Sequence, residues 1–484
     1  MMSKLLFAAL LLLAMPTGCS AVQTTPNVTQ GGQGILPGAA FGHRPLSQYI
    51  SHVIVIIQEN RSFENFFAGF PGANAPMFGC SSQTSSRPSG IAASSALFGR
   101  RGSSSGCPSG DTRVPLHQVT FVGPDLNHDW KSSMADWNNG NMDGFWKYGQ
   151  AHGQDQAYAY VEQSLIAPYW AMAQRYVLAD AMFPTEFGGS FTAHLTLVAG
   201  NDDIHRNPSA AEVDFPGAPP DDCDSPPGTK TSYLTTQRVV HRFQGPFPCF
   251  DQFNTMAQLL DQGRISWKYY ATKLVGAGMW EPFEAIKYVR YGPDWITNIE
   301  VPQTKILSDP GAGKLASVSW VTPSQPDSDH PKFLSDKGPS WVASVVNAIG
   351  ESSYWNTSAI IILWDDWGGF YDNAAPPQLD YRGLGLRVPC LIISPYARET
   401  SASHPGYVSH TQYAFGSILK FIEETFGLPY LGQQLHGYTD KRANSLDDAF
   451  DFTQMPRPFK PFKAKYSKEM FLHEPPSNGA VDTE

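Results

Sequence analysis

Four polar side chains in two short stretches could bind a divalent metal ion: Glu59, Asn60, Asp365 and Asp366. The first two directly follow the apolar run 53–57, and the last two directly follow the apolar run 358–364. Carboxylate and amide oxygens suit hard or borderline divalent metals, and ligands of open α/β sheets bind beyond the carboxyl ends of strands. If the two runs are neighbouring strands, all four side chains converge on one ion. The alternative for the first pair is an ordinary polar turn after a strand.

A serine and two histidines could supply a nucleophile and proton transfer. Ser190 follows two glycines and opens a periodic apolar run, so helix N-terminal amides would favour an anion there and lower the pKa of the hydroxyl. Serine is also a preferred N-cap residue, and the two roles are compatible. His330 lies just past a predicted strand, 318–322. His128 taken alone suits a capping or core histidine.

The elements that must position these residues alternate between strands and helices. The predicted strands are 53–57, 265–270, 318–322, 358–364 and 387–393, and the predicted helices are 165–183, 195–199, 253–262, 338–349 and 410–426. This alternation predicts an α/β fold with a mainly parallel sheet and helices on both faces. Two long insertions interrupt it, at 79–113 and 205–250, and the second is expected to cover the substrate site.

Composition excludes some functions. The chain has 484 residues, 42% of them apolar and 16% charged, with 39 prolines and 43 glycines, which is typical of a globular, loop-rich protein. A net charge of −10 and a pI near 5.7 argue against a nucleic-acid partner, which would need a basic stripe. The sequence does not indicate an oligomeric state.

The N-terminus predicts export. Lys4 precedes the apolar run 5–15, which is too short to span a bilayer comfortably, and small residues follow it. Residues 1–19 are therefore interpreted as a signal peptide and 20–48 as a flexible tether. The segment ending at Cys19 also resembles a lipoprotein cleavage site, although Pro16 stands where that pattern usually has leucine. Membrane contact is expected only through this anchor or a lipid substrate.

Cysteine usage fits export. Cys80 and Cys107 flank the first insertion, and Cys223 and Cys249 flank the second, so disulfides are expected to restrain both insertions. Cys390 lies in a predicted buried strand and is interpreted as a core residue.

Four ordered motifs resemble the bacterial phosphoesterase family of phospholipases C and acid phosphatases. Gln58-Glu-Asn-Arg-Ser-Phe63 and Trp364-Asp-Asp-Trp-Gly-Gly-Phe-Tyr-Asp372 are similar to its two signatures, and 385–389 and 393–396 match its following strand. The resemblance implies an alkaline-phosphatase-like α/β sandwich over 49–440, followed by an irregular tail, 441–484.

The resemblance also implies roles for particular residues. One divalent metal, of unknown identity, would be bound by Glu59, Asn60, Asp365 and Asp366. Ser190 would be the nucleophile, and the histidines near the phosphate would be His128 and His330. Three departures stand out: Asp366 replaces the usual Glu, Asn373 replaces His, and Thr192-Ala193 replace Pro-Asn.

The expected activity is that of an exported, metal-dependent phosphoesterase that works through a phosphoserine intermediate. A phosphomonoester would make it an acid phosphatase, and a phospholipid would make it a phospholipase C. The length leaves no room for extra C-terminal modules, which slightly favours the phosphatase. Two alternatives are a catalytically impaired lipoprotein that binds a phosphorylated ligand or a partner, and a two-metal or sulfatase-like enzyme.

Overall fold

A mixed, mostly parallel sheet organises the structure. The computed structural model describes residues 45–82, 106–149, 156–204, 210–247, 249–252, 254–276, 278–401, 403–433 and 439–475. The strands are β1 His52–Gln58, β2 Phe78–Ser81, β3 Thr112–Pro115, β4 His117–Val119, β5 Ala159–Val161, β6 Val177–Phe183, β7 Ala210–Glu212, β8 Lys230–Thr235, β9 Val240–Pro246, β10 Trp267–Tyr270, β11 Ile299–Glu300, β12 Val318–Val321, β13 Ser358–Trp364, β14 Val388–Ile393, β15 Tyr407–Ser409 and β16 Tyr413–Ala414. The helices are α1 Phe63–Phe67, α2 Trp130–Trp137, α3 Trp146–Gly149, α4 Ala167–Ala173, α5 Ser190–Ala199, α6 Met256–Gly263, α7 Lys287–Arg290, α8 Asp294–Thr297, α9 Gly338–Gly350, α10 Phe415–Phe426 and α11 Lys468–Leu472.

Nine strands of the described chain form the central sheet, in the order β11-β10-β12-β1-β13-β14-β6-β15, with β16 also paired to β6. The apolar runs of β1 and β13 are buried on both faces, as their lack of alternation predicts. Helix α5 packs against α10, and α4 packs against α9. The predicted fold class, an α/β sandwich with a mainly parallel sheet, is confirmed.

Strand β14 runs against its neighbours. It pairs antiparallel with β13 on one side and with β6 on the other, so β13 and β6 point the same way. The beginning of β14 therefore lies at the sheet edge where β1, β13 and β6 end.

The single helix predicted over 165–183 is wrong. Helix α4 ends at Ala173, and residues Val177–Phe183 form β6. This segment pairs with β14, β15 and β16, so sheet pairing overrides an apolar spacing that also fits a helix.

The insertions and the tail contain regular structure. Disulfides join Cys80 to Cys107 and Cys223 to Cys249, as expected, and Cys390 is buried and free. The second insertion contains the three-stranded sheet β7-β8-β9. The tail, expected to be irregular, includes α11, whose Phe471 is buried.

The predicted signal peptide and lipid anchor lie outside the described residues, which begin at residue 45. Only the last four residues of the predicted tether, 20–48, are described, and Leu46–Gln48 form a 3₁₀ helix in which Leu46 is buried. Across the described ranges, none of the helices combines the length and apolar character needed to cross a membrane.

Candidate active site

The two predicted metal-binding stretches lie side by side. Strands β1 and β13 are parallel and in register, with Gln58 opposite Trp364. The Asp365 N–H donates to the Gln58 carbonyl at 3.0 Å, so the two polar pairs leave the sheet together. The topology assumed from sequence is therefore correct, and the four side chains are all buried.

Hydrogen bonds connect these side chains. The Asp365 Oδ1 accepts from the backbone N–H of Asn60 at 2.8 Å and of Asp366 at 2.7 Å. The Asn60 Nδ2 donates to both carboxylate oxygens of Asp366, at 3.2 and 3.3 Å. Asn60 is left-handed (φ 58°), a conformation that asparagine tolerates better than most residues. Gly368 is required beside it, because a Cβ there would lie 2.1 Å from the Asn60 carbonyl oxygen.

The arrangement fits a cation. Asn60 Oδ1 and Asp365 Oδ2 are buried acceptors without a hydrogen-bond partner, although buried polar atoms normally have one. Burial, followed by the Asp365 carboxylate, holds the pKa of Asp366 well above its ordinary value. A divalent ion would neutralise this concentration of negative charge. Glu59, Asn60 and Asp365 are the residues that would bind it most directly.

Sequence reasoning missed His194. This residue lies on α5 one turn after Ser190, and its Nε2 is 3.0 Å from Glu59 Oε1. Burial lowers the pKa of His194 to about 4, so the ring is neutral and donates its Nε2–H to the carboxylate. Ligand atoms of His194, Glu59 and Asp365 lie within 4.8 Å of one another. The i, i+4 spacing from Ser190 was the signal that could have identified it.

Ser190 occupies the expected place. It is the first residue of α5 and follows Gly189, the N-cap. Its hydroxyl is buried and has no hydrogen-bond partner. An N-terminal position on a ten-residue helix favours developing negative charge on that oxygen.

The two predicted histidines are neighbours. The ring centroids of His128 and His330 lie 5.7 Å apart. Asp125, also missed from sequence, approaches both rings, at 4.0 Å from His128 Nδ1 and 3.8 Å from His330 Nδ1. The positive charge of a protonated His128 would lower the pKa of Asp366. The group formed by His128, His330 and Asp125 therefore lies beside the carboxylates of Asp365 and Asp366.

Hydrogen bonds give the two rings opposite tautomers in their neutral forms. His128 Nδ1 lies 2.6 Å from the Leu126 carbonyl and must carry the proton, which makes Nε2 its acceptor. His330 Nδ1 accepts the Lys332 N–H at 3.2 Å, so its proton is on Nε2. The neutral rings therefore present a hydrogen-bond acceptor at His128 Nε2 and an N–H donor at His330 Nε2.

The end of β1 also holds the segment that carries His330. The Gln58 side chain accepts from the Asp329 N–H at 2.9 Å and donates to the Asp327 carbonyl at 3.3 Å. The Asp329 carboxyl in turn accepts from Tyr169 and Trp364, at 2.8 and 2.9 Å. His330 is thereby fixed relative to the neighbouring strand ends.

A buried arginine joins the two signature loops. Arg387, just before β14, contacts the Asp372 carboxylate at 2.9 Å and donates to Asn373 Oδ1 at 2.9 Å. Asp372 also accepts the Glu64 N–H of α1 at 3.3 Å. Asn373, which stands where the resembled signature has histidine, is therefore part of this brace.

A cavity of about 950 Å³ opens beside the site. His128 and both neighbours of Ser190, Gly189 and Phe191, line it. Trp130 adds an aromatic wall. The second insertion also contributes, through residues that include Asp214, Val240 and Arg242. The cavity is larger than a phosphate group and carries apolar, acidic and basic side chains.

Comparison with known proteins decides the family. The model of the Phosphoesterase family matches residues 50–429. The chain belongs to this family. It is a phosphoric ester hydrolase.

Curated relatives agree. The chain is 24% identical over 476 residues to phospholipase C A of Mycobacterium tuberculosis, covering 87% of this chain and 82% of that protein. It is 22% identical to the non-hemolytic phospholipase C of Burkholderia pseudomallei, covering 91% and 64%. It is 25% identical to the non-specific phospholipase C6 of Arabidopsis thaliana, covering 52% and 50%.

Solved structures give a weaker likeness. A protein of the alkaline phosphatase superfamily from Vibrio parahaemolyticus matches 64% of this chain and 65% of its own, at 13% identity and a TM-score of 0.31. Nothing about this chain's chemistry follows from a TM-score that low.

Proposed function

We propose that this phosphoesterase is a metal-dependent hydrolase of the phospholipase C type, with Ser190 as its nucleophile. The observation that carries the proposal is the buried, unpartnered Ser190 hydroxyl at the start of α5, beside a large mixed cavity. The relatives named phospholipase C support the diester preference. A phosphomonoesterase of the acid phosphatase type is the second candidate, and the cavity volume disfavours it.

A divalent cation bound by Glu59, Asn60 and Asp365 would lower the pKa of the Ser190 hydroxyl and neutralise charge on the phosphoryl oxygens. Ser190 Oγ attacks phosphorus, and the bond from phosphorus to the leaving alkoxide breaks, which leaves a phosphoserine ester. An imidazolium His330, whose Nδ1 lies 3.8 Å from Asp125, would donate its Nε2 proton to the leaving alkoxide and become neutral, and His128 Nε2 would accept the proton of the Ser190 hydroxyl and become an imidazolium.

Water then completes the cycle. It attacks the phosphoserine phosphorus and gives a proton to the neutral His330, the Ser190 O–P bond breaks, and the His128 imidazolium returns its proton to the Ser190 oxygen. The products are an alcohol and a phosphorylated head group from a diester, or an alcohol and inorganic phosphate from a monoester. The mixed cavity wall formed by Trp130 and the second insertion would bind the organic part of the substrate.

Export by the N-terminal segment remains part of the proposal. Both insertions carry disulfides, which persist in oxidising environments and are rare in reducing ones. Size analysis and membrane fractionation of the mature protein, compared with a Cys19→Ser variant, would test the lipid anchor.

The function is tested by hydrolysis of p-nitrophenyl phosphorylcholine and p-nitrophenyl phosphate, with and without chelator. We expect faster turnover of the diester, loss on chelation, and no measurable turnover in Ser190→Ala. Thr196→Ala is the matched control, because it removes another buried hydroxyl of α5 that donates within the helix, at 3.1 Å to the Ala193 carbonyl.

The intermediate has its own readout. Rapid acid quench followed by mass spectrometry should find phosphorylcholine on the peptide containing Ser190 with the diester substrate, and phosphate on it with the monoester. Near-normal turnover by Ser190→Ala would refute the covalent route, and preference for the monoester would favour the second candidate.

A further inference from the structure

We infer that the neutral carboxylic acid of Glu186 is a positioning group for the nucleophile, which ties the turn that carries Ser190 to Asp202. Glu186 lies in the connection between β6 and α5, four residues before Ser190. Both Glu186 and Asp202 lie outside the proposed set of metal-binding residues. The inference rests on the proposed role of Ser190 and concerns what holds that residue in place.

The turn 184–189 packs against the loop that precedes β14. The Pro184 carbonyl accepts the Gly385 N–H of this loop at 2.9 Å. A Cβ on Gly385 would lie 2.3 Å from the Glu186 carbonyl oxygen, so only a glycine lets the two segments approach this closely. The backbone of the turn is therefore supported just before the nucleophile.

The Glu186 side chain lies beside the first turn of α5. A Cβ on Gly188 would lie 2.8 Å from Thr192 Oγ1 and 3.7 Å from Glu186 Oε1, so these groups occupy one small space. Thr192 Oγ1 donates to the Gly189 carbonyl at 3.1 Å, which closes the turn on which Ser190 lies. Removing the Glu186 carboxyl would therefore open space next to the turn that sets the nucleophile.

A buried arginine fixes the partner of Glu186. Arg382 Nε donates to Asp202 Oδ1 at 2.5 Å, and Arg382 also pairs with Asp203. The exposed fractions of Glu186, Asp202 and Arg382 are 4%, 0% and 2%. The Asp202 carbonyl accepts the Glu212 N–H at 2.6 Å, so the backbone and the side chain of Asp202 are both held. Asp202 is thus a rigid anchor for the side chain of Glu186.

The charges around Arg382 favour a proton on Glu186. Arg382 brings one positive charge, and Asp202 and Asp203 already bring two negative charges. A third negative charge, on Glu186, would be buried without a cation of its own, which is costly. Burial, followed by the charge of Asp202, accordingly raises the pKa of Glu186 well above its ordinary value.

A hydrogen bond between the two carboxyl groups uses that proton. Asp202 Oδ2 is buried and receives no hydrogen bond from an N–H or hydroxyl group. Buried acceptors normally have a donor, and the acid proton of Glu186 supplies one. The turn before Ser190 is thereby connected through Asp202 to Arg382.

Further ionisable groups face the pair from two elements. They lie on β7 and in the loop that carries Arg382, and they are Glu212, Asp380 and Tyr381. Burial raises the pKa of Glu212 well above its ordinary value, so this carboxyl is uncharged as well. Asp380 is paired with Arg442 at 2.6 Å, in a more exposed contact. An ionised Glu186 would therefore have to share Arg382 with two aspartates.

Turnover of the preferred p-nitrophenyl ester by Glu186→Gln and Glu186→Ala tests the inference. Glutamine keeps a neutral group that can donate to Asp202, so Glu186→Gln should retain most of the wild-type kcat. Alanine removes the donor, and the resulting displacement of the nucleophile should lower kcat about 10²-fold. KM should change little in both variants, because Glu186 is not among the residues that line the cavity.

Infrared spectroscopy detects the proton without reference to activity. The difference spectrum between wild type and Glu186→Gln at neutral pH should contain the C=O band of a protonated carboxyl group. Metal analysis should find the same number of ions per chain in both proteins, because a proton joins the two carboxyl groups. Glu423→Gln is the control, since it removes another buried acid with a raised pKa, on α10, and should leave turnover unchanged.

Four results would overturn the inference. The first is a loss of kcat in Glu186→Gln equal to that in Glu186→Ala, which would mean that the ionised carboxylate is needed. The second is a near-normal kcat in Glu186→Ala. The third is the absence of the infrared band, which counts whether or not Glu186→Ala folds. The fourth is an ion that is lost in Glu186→Gln, which would place a cation where the proton is proposed.

Failure of the proposed function would look different. Turnover by Ser190→Ala would refute the nucleophile, yet it would leave the infrared band and the metal count of Glu186→Gln as expected. Thermal unfolding of each variant checks that a loss of kcat does not come from a loss of the fold.

Discussion

Replacing Arg387 with methionine should destabilise the protein by about 3–5 kcal/mol at pH 8, the range measured when one partner of a buried ion pair is removed. Arg387 has no solvent exposure. Its Nε lies 2.9 and 3.1 Å from the two Asp372 oxygens, and its other nitrogens donate to the Asp180 carbonyl and to Asn373. Methionine fills similar volume but leaves the Asp372 charge buried without its cation.

The loss should depend on pH. Burial already raises the pKa of Asp372 above its ordinary value even with Arg387 present. Without the guanidinium that pKa rises further, so the folded variant binds a proton that the unfolded chain has released. Stability of Arg387→Met therefore falls as pH rises above the ordinary aspartate range, and the defect is smaller at pH 5 than at pH 8.

Urea unfolding of wild type, Arg387→Met, Asp372→Asn and the double variant completes a double-mutant cycle, which measures the coupling free energy between Arg387 and Asp372. The double variant should regain more than half of the loss, because no charge is left unpaired. As a control, Arg264→Met replaces an exposed arginine and should change the free energy of unfolding by less than about 0.5 kcal/mol. A double variant no more stable than Arg387→Met would refute the assignment of the loss to a buried charge.

Other variants test separate features. His128→Ala and His330→Ala should each lower turnover about 10²–10⁴-fold without changing metal stoichiometry. His330→Ala should slow the hydrolysis of alkyl phosphate esters more than that of p-nitrophenyl esters, since p-nitrophenolate leaves without a proton. Equal effects on the two kinds of substrate would contradict the role of His330 as an acid. Burial and a neighbouring carboxylate raise the pKa of Glu423 from 4.5 to about 9, so wild-type stability should fall between those values, by at most about 1.4 kcal/mol per pH unit. Glu423→Gln should reduce this slope but not abolish it, because other buried carboxyls with raised pKa, such as Asp372 and Asp329, remain; an unchanged slope in pH-dependent urea unfolding would show that Glu423 does not contribute. Replacing Cys80 and Cys107 with alanine should lower the free energy of unfolding by about 2–4 kcal/mol. Thermal unfolding of the variant, compared with the reduced wild-type protein, measures this loss. An unchanged unfolding midpoint would show that this disulfide does not limit stability.

The strand ends could be predicted from sequence because their signal is local. A β-branched run that stops on polar residues identifies a buried strand and its end, so the positions of Glu59, Asn60 and Asp365 at strand ends followed from pattern, whereas their metal role came from the family resemblance. Ser190 needed only two glycines and the following apolar period. The resemblance to the family is what linked these separate stretches to one chemistry.

The missed residues depend on distant partners. Nothing adjacent to His194 marks it, and its role appears only when α5 is set against the end of β1. Arg387 was predicted only as the first residue of a strand, and the antiparallel direction of β14 is what brings it to the carboxyl ends of β1 and β13. The helix predicted over 165–183 was wrong for a related reason. The second half of this segment is a strand because it pairs with β14 and β15.

The pairing of β1 with β13 also fixes when the metal site comes into existence. Asn60 and Asp365 are 305 residues apart, and neither stretch alone supplies all of the proposed ligand oxygens. No site forms on the growing chain until the residues after 358 have found β1. The proposed ion is therefore taken up where folding finishes, and its identity depends on the cations present in that compartment as well as on the ligands.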